Sequence, residues 1–282
     1  MSIHCTAIVS PGAQLGTNVH VGPFTIVEPG AVVADNCRLA SHVVIKSGVT
    51  LGRGTLVFEG AVLGGLPQHV KLPENPGTLL LGDGNVIREH CTLHRSLQPE
   101  GVTRLGNNNV LMVGAHVAHD CVVGNNVVMA NNVLLAGHVT VGDRAFFGGA
   151  AAVHQFCRIG QLAMIGGHAR VTQDVPPYVT VDGGSSMVVG LNRVGLSRSG
   201  YTSDEIAQLK AAYKLIYRQG LKWREVLETL RVEFAAGPAA DYAVFLSGGT
   251  RGFLAERRPP RAATIKLHRD EPAQPEYQSK AS

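Results

Sequence analysis

The chain has 282 residues, of which 45% are hydrophobic but only 5% are aromatic, and it contains 34 glycines. So few large rings argue against a helical bundle or a sandwich, whereas many glycines and valines favour short strands joined by tight turns. The net charge of +4 is too small for a nucleic-acid-binding protein, and the sequence has neither an 18-residue apolar run nor a signal-peptide pattern, which predicts a cytoplasmic protein without an integral membrane segment.

A six-residue repeat begins at Ile3 and continues to Val171. Of the 29 positions spaced by six in this range, 26 carry an aliphatic residue, Met or Phe, and the exceptions are His69, Asn75 and Pro99. The next residue is repeatedly Gly, as at Gly16 and Gly124. A period of six fits neither a helix nor a flat strand, so each unit is interpreted as a short strand followed by a corner.

Three such units close a triangular coil of about 18 residues, and successive coils stack as parallel strands. The sequence therefore predicts a mainly β protein, a parallel β-helix of hexapeptide repeats. Four of the five cysteines occupy the fourth residue after the aliphatic, where a thiol would act as a small hydrophobic group. They are Cys37, Cys91, Cys121 and Cys157.

The repeat and the segments beyond it predict four regions. The β-helix covers residues 1–178, with excursions near 64–80 and 94–104, and a connector covers 179–201. An α-helical domain follows over 202–254, because Thr202 and Glu205 form a capping-box pattern before Ile206, Leu209 and Tyr213. Further helices are predicted over 223–235 and 239–246. The tail over 255–282 is polar and aperiodic, which predicts disorder.

Histidines are concentrated near one predicted corner. His119, His138 and His154 fall in equivalent units of three consecutive coils, so we expect their imidazoles to line one strip, with His116 beside His119. Such a cluster suits proton abstraction near neutral pH. Zinc binding is the competing use. The pair His116 and His119 is three residues apart, unlike the five-residue spacing in gamma-class carbonic anhydrases, and no metal or other cofactor is predicted.

Five segments are distinctive in their combination of residues. They are His116-Val117-Ala118-His119-Asp120-Cys121, Ala136-Gly137-His138-Val139, Ala152-Val153-His154-Gln155-Phe156-Cys157, Gln173-Asp174-Val175-Pro176-Pro177-Tyr178 and Ala212-Tyr213-Lys214-Leu215-Ile216-Tyr217-Arg218. Together they resemble one family of enzymes, the acyl-carrier-protein-dependent UDP-N-acetylglucosamine O-acyltransferases that begin lipid A synthesis. The resemblance covers about residues 1–254.

The resemblance implies a left-handed β-helix, a homotrimer with active sites between neighbouring subunits, and transfer of a 3-hydroxyacyl chain from acyl carrier protein to the sugar 3-hydroxyl. His119 matches the general base, Asp120 its supporting carboxylate, and the N–H of Gly137 the oxyanion donor. Gly167 matches the position that sets acyl-chain length. The other matched positions contact substrate: Gln68, Lys71, His94, His116, His138, His154, Gln155, Asn192 and Arg198.

Four positions depart from the family pattern. His69 replaces an Asp, Ser185 a His, Val194 a Glu and Ser199 an Arg, all where contact with sugar or nucleotide is expected. The base and its partner are unchanged, so the resemblance supports acyl transfer and leaves the acceptor open. The candidates are UDP-N-acetylglucosamine and a modified UDP-hexosamine such as a 3-amino sugar, which would give an amide.

Other functions fit the sequence less well. The related N-acyltransferases carry an extra N-terminal domain, whereas here the repeat begins at Ile3. A non-catalytic trimeric scaffold would leave the histidines without a role. Basic residues near the helices are either a docking site for acidic acyl carrier protein or ordinary solvated charges. They are Arg193, Arg198, Lys210, Lys214 and Arg218.

Overall fold

A computed structural model describes residues 1–257 of the chain. The strands are β1 (Ser2–Ile3), β2 (Ile8–Val9), β3 (Gln14–Leu15), β4 (His20–Val21), β5 (Ile26–Val27), β6 (Val32–Val33), β7 (Arg38–Leu39), β8 (Val44–Ile45), β9 (Val49–Leu51), β10 (Leu56–Val57), β11 (Val62–Gly65), β12 (Thr78–Leu81), β13 (Val86–Ile87), β14 (Thr92–His94), β15 (Val102–Leu105), β16 (Val110–Leu111), β17 (His116–Val117), β18 (Val122–Val123), β19 (Val128–Met129), β20 (Leu134–Leu135), β21 (Thr140–Val141), β22 (Phe146–Phe147), β23 (Ala152–Val153), β24 (Arg158–Ile159), β25 (Met164–Ile165), β26 (Arg170–Val171), β27 (Val179–Val181) and β28 (Val188–Leu191). The helices are α1 (Arg193–Arg198), α2 (Ser203–Arg218), α3 (Trp223–Glu233) and α4 (Ala240–Ser247).

The strands form three sheets, each one face of a triangular coil. Face A runs from β1 through β4 and every third strand to β25, face B from β2 to β26, and face C from β3 to β24. Neighbouring strands of the coils pair in parallel one coil apart, as Ser2 pairs with His20. The offset grows across the excursions, where Leu56 pairs with Val86 and Val86 with Val110. The predicted architecture is therefore confirmed.

The aliphatic position of each repeat points inward and forms the core. Leu39, Leu93 and Phe147 are completely buried, and so are the four cysteines of the repeat. Burial raises the pKa of the Cys91 thiol to about 11 and that of Cys121 to about 12, as expected for thiols that serve only to fill space. The prediction that these cysteines face the interior is confirmed.

The corners are built by a left-handed backbone residue at a regular position. From residue 12 to residue 168, positive φ angles occur at residue numbers divisible by six, apart from Gly64. Asn, Asp and His tolerate this conformation better than other non-glycine residues because of their short polar side chains. At the corner between faces B and C, these positions form one column that contains Asp120 (φ 61°), His138 (φ 61°) and Phe156 (φ 66°).

The end of the β-helix differs from the prediction in two places. The connector over 179–201 contains β27, which pairs with β25 as one more rung of face A, β28, which pairs with β27 in an antiparallel hairpin, and α1. These elements were missed because they follow the prolines at 176 and 177 and lack the period of six. Ala255–Arg257, assigned to the tail, run beside β28, where Val188 bridges Glu256; residues 258–282 lie outside the described chain.

The helical domain closes this end of the coil. Helix α2 begins with the predicted capping box, in which the Thr202 side chain accepts from the Glu205 N–H and the Glu205 side chain accepts from the Thr202 N–H. Leu209 and Leu230 pack with Tyr242 in a second core. Arg158 forms an ion pair of 2.7 Å with the buried Asp174, and its Nη2 donates to the Phe245 carbonyl, which joins the last coils to α4.

Candidate active site

The centre of the histidine cluster is a dyad at the corner between faces B and C. His119 is 7% exposed, and its Nδ1 donates to Asp120 Oδ2 at 2.8 Å. This hydrogen bond fixes the neutral tautomer of the ring and leaves the lone pair on Nε2. His119 is therefore oriented as a proton acceptor.

Asp120 is held by several donors. The Ser96 hydroxyl donates to Oδ1, and the backbone N–H of Leu97 donates to Oδ2 at 3.1 Å. The backbone N–H of Asp120 donates to Thr103 Oγ1 at 2.8 Å. Partial burial acts to raise the pKa of Asp120, but the bonds from Ser96 and His119 outweigh it, so this pKa lies below its ordinary value. Asp120 is an anion at neutral pH.

Four further imidazoles surround the dyad. The rings of His69 and His138 lie edge-on to His119, with centroids 6.0 and 5.1 Å away. His94 and His116 form a second pair at 5.1 Å, tied to the fold by contacts of His94 Nδ1 with the Leu66 carbonyl and of His116 Nδ1 with Thr92 Oγ1. The excursion, residues 66–77 in the structure, thus brings His69 into the cluster, and His69, Gln68 and Lys71 are all exposed.

Burial keeps three of these imidazoles neutral. It lowers the pKa of His116 to about 4, with a smaller contribution from His94, and it lowers the pKa of His94 despite the bond to Leu66. Burial also lowers the pKa of His138, although the carboxylate of Asp120 opposes this. At neutral pH these rings can donate or accept hydrogen bonds without adding positive charge beside the base.

The expected strip of three imidazoles is only partly correct. His119, His138 and His154 lie at the same corner, but they occupy the third, fourth and second residues of their repeats and so belong to different columns. His138 stacks on Phe156 at 4.6 Å, and His154 Nδ1 instead accepts from Arg251 Nη2 at 3.0 Å. His154 and Gln155 are exposed at the edge of the site.

Gly137 and Gly167 are glycines with close neighbours. A Cβ on Gly137 would lie 2.7 Å from His119 Cε1 and 2.8 Å from His119 Nε2, so the His119 ring packs directly on this glycine. A Cβ on Gly167 would lie 3.2 Å from the Gly149 carbonyl oxygen. Gly149, Gly167 and Gly183 are the third residues of successive face A repeats, which leaves a strip free of side chains at the corner between faces A and B.

The positions expected to contact nucleotide are gathered elsewhere. Asn192, Val194, Arg198 and Ser199 line a cleft of about 750 Å³ together with Phe146 and Met164 of face A. Asn192 also caps α1 by accepting from the Gly195 N–H. The dyad lies at the corner between faces B and C, so one chain does not bring the two sets together. Ser185 is separate again and donates to Asp182 in the β27–β28 turn.

His138 and the two residues of the dyad are close enough together to be considered as metal ligands. Ligand atoms of His119, Asp120 and His138 lie within 4.8 Å of one another. The carboxylate already accepts hydrogen bonds from Ser96, Leu97 and His119, so its charge is satisfied by protein donors. The arrangement is suited to a supported base rather than to a preformed metal site.

Sequence reasoning missed Ser96, Thr103 and Arg251. The first two lie in excursion 94–104, where the period is broken. The pairing of Thr92 with His116, 24 residues apart, gives the local register and would have placed Ser96 on Asp120. Arg251 follows the helices, and no periodic signal connects it with His154.

Comparisons with known proteins identify the relatives of this chain. Residues 12–47 and 103–137 match the bacterial transferase hexapeptide family (six repeats), and residues 174–254 match the second domain of UDP N-acetylglucosamine O-acyltransferases. An acyl-[acyl-carrier-protein]–UDP-N-acetylglucosamine O-acyltransferase of Verminephrobacter eiseniae is 44% identical over 259 residues, covering 90% of this chain and 99% of the relative. The chain belongs to this acyltransferase family.

Solved structures support the same assignment. LpxA from Acinetobacter baumannii superposes with a TM-score of 0.86 at 37% identity, covering 89% of this chain and 99% of that one. The UDP-N-acetylglucosamine acyltransferase of Arabidopsis superposes with a TM-score of 0.79 at 34% identity, covering 89% and 99%. The predicted fold class, a left-handed parallel β-helix with a small helical domain, is confirmed. Within residues 1–257, no helix combines the length and apolar character needed to cross a bilayer.

Proposed function

We propose that this enzyme transfers a 3-hydroxyacyl chain from acyl carrier protein to the 3-position of a UDP-hexosamine, in the cytoplasmic synthesis of lipid A. The observation that carries the proposal is the dyad, in which Asp120 engages Nδ1 of the buried His119 ring and leaves the lone pair on Nε2. The donor and the acceptor class are those of the relatives, which are acyl-[acyl-carrier-protein]–UDP-N-acetylglucosamine O-acyltransferases.

The chemistry follows from this geometry. His119 Nε2 takes the proton of the acceptor as its oxygen or nitrogen attacks the thioester carbonyl carbon. The tetrahedral oxyanion is stabilised by the N–H of Gly137, which makes no hydrogen bond within residues 1–257. The carbon–sulfur bond then breaks, and the imidazolium returns its proton to the leaving thiolate of the carrier protein. Neither a metal nor a covalent acyl-enzyme is required.

The active enzyme is proposed to be a homotrimer whose clefts are shared by two subunits. Within one chain the dyad and the cleft at Asn192 and Arg198 face different sides of the β-helix. A threefold assembly can place the dyad of one subunit against the nucleotide cleft of its neighbour. The site is incomplete without the second copy.

Docking of acyl carrier protein is proposed on the basic side of the helical domain. Lys210 and Lys214 are exposed on α2 and are available to an acidic partner. Arg218 is already paired with Glu256 at 2.6 Å and lies over the Tyr213 ring, so its charge is compensated within the chain. The proposed docking surface therefore leaves out Arg218 and contains fewer basic side chains than the sequence suggested.

The identity of the acceptor sugar can be tested by substitution of His69. This ring lies 6.0 Å from His119, so it faces the place where the sugar must approach the base. Imidazole in place of the family's carboxylate changes both charge and hydrogen-bonding capacity, and polar sites discriminate strongly against the wrong pattern. We expect altered or weak use of UDP-N-acetylglucosamine and better use of its 3-amino analogue.

The enzyme is incubated with 3-hydroxyacyl carrier protein and either UDP-N-acetylglucosamine or its 3-amino analogue, and the products are identified by mass. His69→Asp should shift the preference toward UDP-N-acetylglucosamine, and His42→Asp at an exposed corner of a remote coil is the matched control. Exclusive use of UDP-N-acetylglucosamine by the parent, unchanged in His69→Asp, would eliminate the modified acceptor. Absence of transfer to every UDP-sugar would eliminate the proposed function.

The acyl chain is proposed to run along the glycine strip that contains Gly167. Gly167→Met would fill this space, because even its Cβ contacts the Gly149 carbonyl at 3.2 Å. We expect kcat/KM for the longest accepted donor to fall by roughly tenfold or more, while shorter donors are retained. A series of acyl carrier protein thioesters measures the profile, and Gly167→Ala should be intermediate. An unchanged profile in both variants would place the end of the channel elsewhere.

A further inference from the structure

Ser96 lies where the six-residue period is broken, so the repeat does not require a serine at this position. It is completely buried in excursion 94–104, and its hydroxyl donates to Asp120 Oδ1. The same hydroxyl accepts from the Gln98 N–H at 3.0 Å, so both its donor and its acceptor capacity are used. The Gln98 carbonyl, at 3.2 Å, is a second acceptor within reach of this hydroxyl, but the charged carboxylate is the stronger one and fixes its orientation.

The surroundings of Ser96 are shaped around this hydroxyl. A Cβ on Gly101 would collide with Ser96 Oγ, so a glycine at 101 makes room for it. The backbone of Ser96 accepts from the Gly77 N–H at 3.0 Å, and its own N–H donates to the Thr78 carbonyl at 3.3 Å. The residue thus joins the end of the His69-bearing excursion, 66–77, to the carboxylate of the dyad.

We propose that Ser96 is a positioning residue of the acyltransferase, which holds the Asp120 carboxylate in the plane needed to orient His119. Ser96 engages Oδ1, while His119 and Leu97 engage Oδ2, so the two oxygens of the carboxylate have separate partners. Without the hydroxyl, Oδ2 keeps its bonds from His119 and Leu97, but Oδ1 loses its donor and the plane of the carboxylate is less restrained. Its negative charge is then less compensated and stabilises the imidazolium form of His119 more strongly.

The expected loss of kcat rests on the proposed function, whereas the expected change in the protonation of His119 does not. In Ser96→Ala, kcat should fall about tenfold, as expected for loss of a hydrogen bond to a charged group, with little change in KM. The acidic limb of the pH–rate profile should move to higher pH by roughly half a unit or more. Ser96→Thr retains the hydroxyl and should restore the profile.

A double-mutant cycle separates positioning from general damage. In the Asp120→Asn background, Ser96→Ala should have little further effect on kcat, because the two residues act as one unit. Thr55→Val is the matched control, since Thr55 is also completely buried and its hydroxyl donates to the Gly52 carbonyl far from the dyad. This control should lower stability without moving the pH profile.

A substrate-free measurement keeps the two proposals distinguishable. Histidine labelled with ¹³C at Cε1 gives one signal per ring, and the signal lost in His119→Asn assigns His119. Its titration midpoint should rise in Ser96→Ala and remain unchanged in Thr55→Val, whether or not the enzyme acylates a UDP-sugar. An unmoved midpoint, or equal losses of kcat in the parent and Asp120→Asn backgrounds, would overturn the role of Ser96.

Discussion

Replacing His119 by alanine is expected to lower acyl transfer by about 10²–10⁴, the usual effect of losing a general base. The fold should survive, because the imidazole lies at a corner and contributes nothing to the buried aliphatic ladders. Turnover is measured with 3-hydroxyacyl carrier protein and the preferred UDP-hexosamine, and the parent and variant are compared by circular dichroism and thermal unfolding. Near-normal turnover in a folded variant would remove His119 from the role of base.

The same variant tests the proposed sharing of clefts between subunits. His119→Ala and Arg198→Ala damage different halves of the cleft, and each should be inactive alone. When the two chains are co-expressed and assemble at random, roughly a quarter of the clefts in a trimer combine an intact His119 with an intact Arg198. Transfer should therefore recover in the mixture. Failure to recover in verified mixed trimers would contradict the shared cleft.

Gly137→Ala is expected to have the second largest effect. Its new methyl group would occupy space 2.7–2.8 Å from Cε1 and Nε2 of His119, so the ring must move away from the attacking atom. Displacement of a reacting group by about 1 Å can cost about 10²-fold in rate. We expect at least this loss in kcat, with the acyl carrier protein still bound.

Gly184→Ala is the matched control for an added methyl group. A Cβ at Gly184 would lie 3.7 Å from Asp182 Oδ2, which is an ordinary contact, and the residue is exposed. This variant should retain turnover. If Gly137→Ala also retained it, the close approach of residue 137 to the His119 ring would have no catalytic consequence.

Much of the fold could be predicted from the sequence because the residue pattern of each repeat indicates which side chain faces the core. An aliphatic residue at every sixth position must point inward, so Leu39 and Leu93 could be assigned to the core without knowledge of their neighbours. The hairpin of β27 and β28 could not be predicted in this way. Its strands follow Pro176 and Pro177, lack the period of six, and owe their place to pairing with β25 and with the segment around Glu256.

The site was predictable to the extent that its residues lie on the repeat. His119 and His138 could be assigned to one corner by counting, and the structure brings their rings to 5.1 Å. The expectation that His154 lines one strip with His119 and His138 was wrong, because counting coils assigns a residue to a corner but does not distinguish the successive residues of that corner. Ser96 could not be recognised until the register across excursion 94–104 was known, since the insertion shifts it from the 18-residue count.

The two ends of the β-helix are finished differently, and this asymmetry has a consequence for local unfolding. The last coils are covered by β28 and the helical domain, whereas β1, β2 and β3 are the terminal strands of their sheets, with Ile3 44% and Ile8 59% exposed. In a stack where each coil contacts only its neighbours, opening begins at the less protected end and propagates inward. Amide hydrogen exchange should be fast at the amino terminus and slow progressively along the coil. The corner that holds His119 and Asp120, many rungs inward, is thereby protected from fraying.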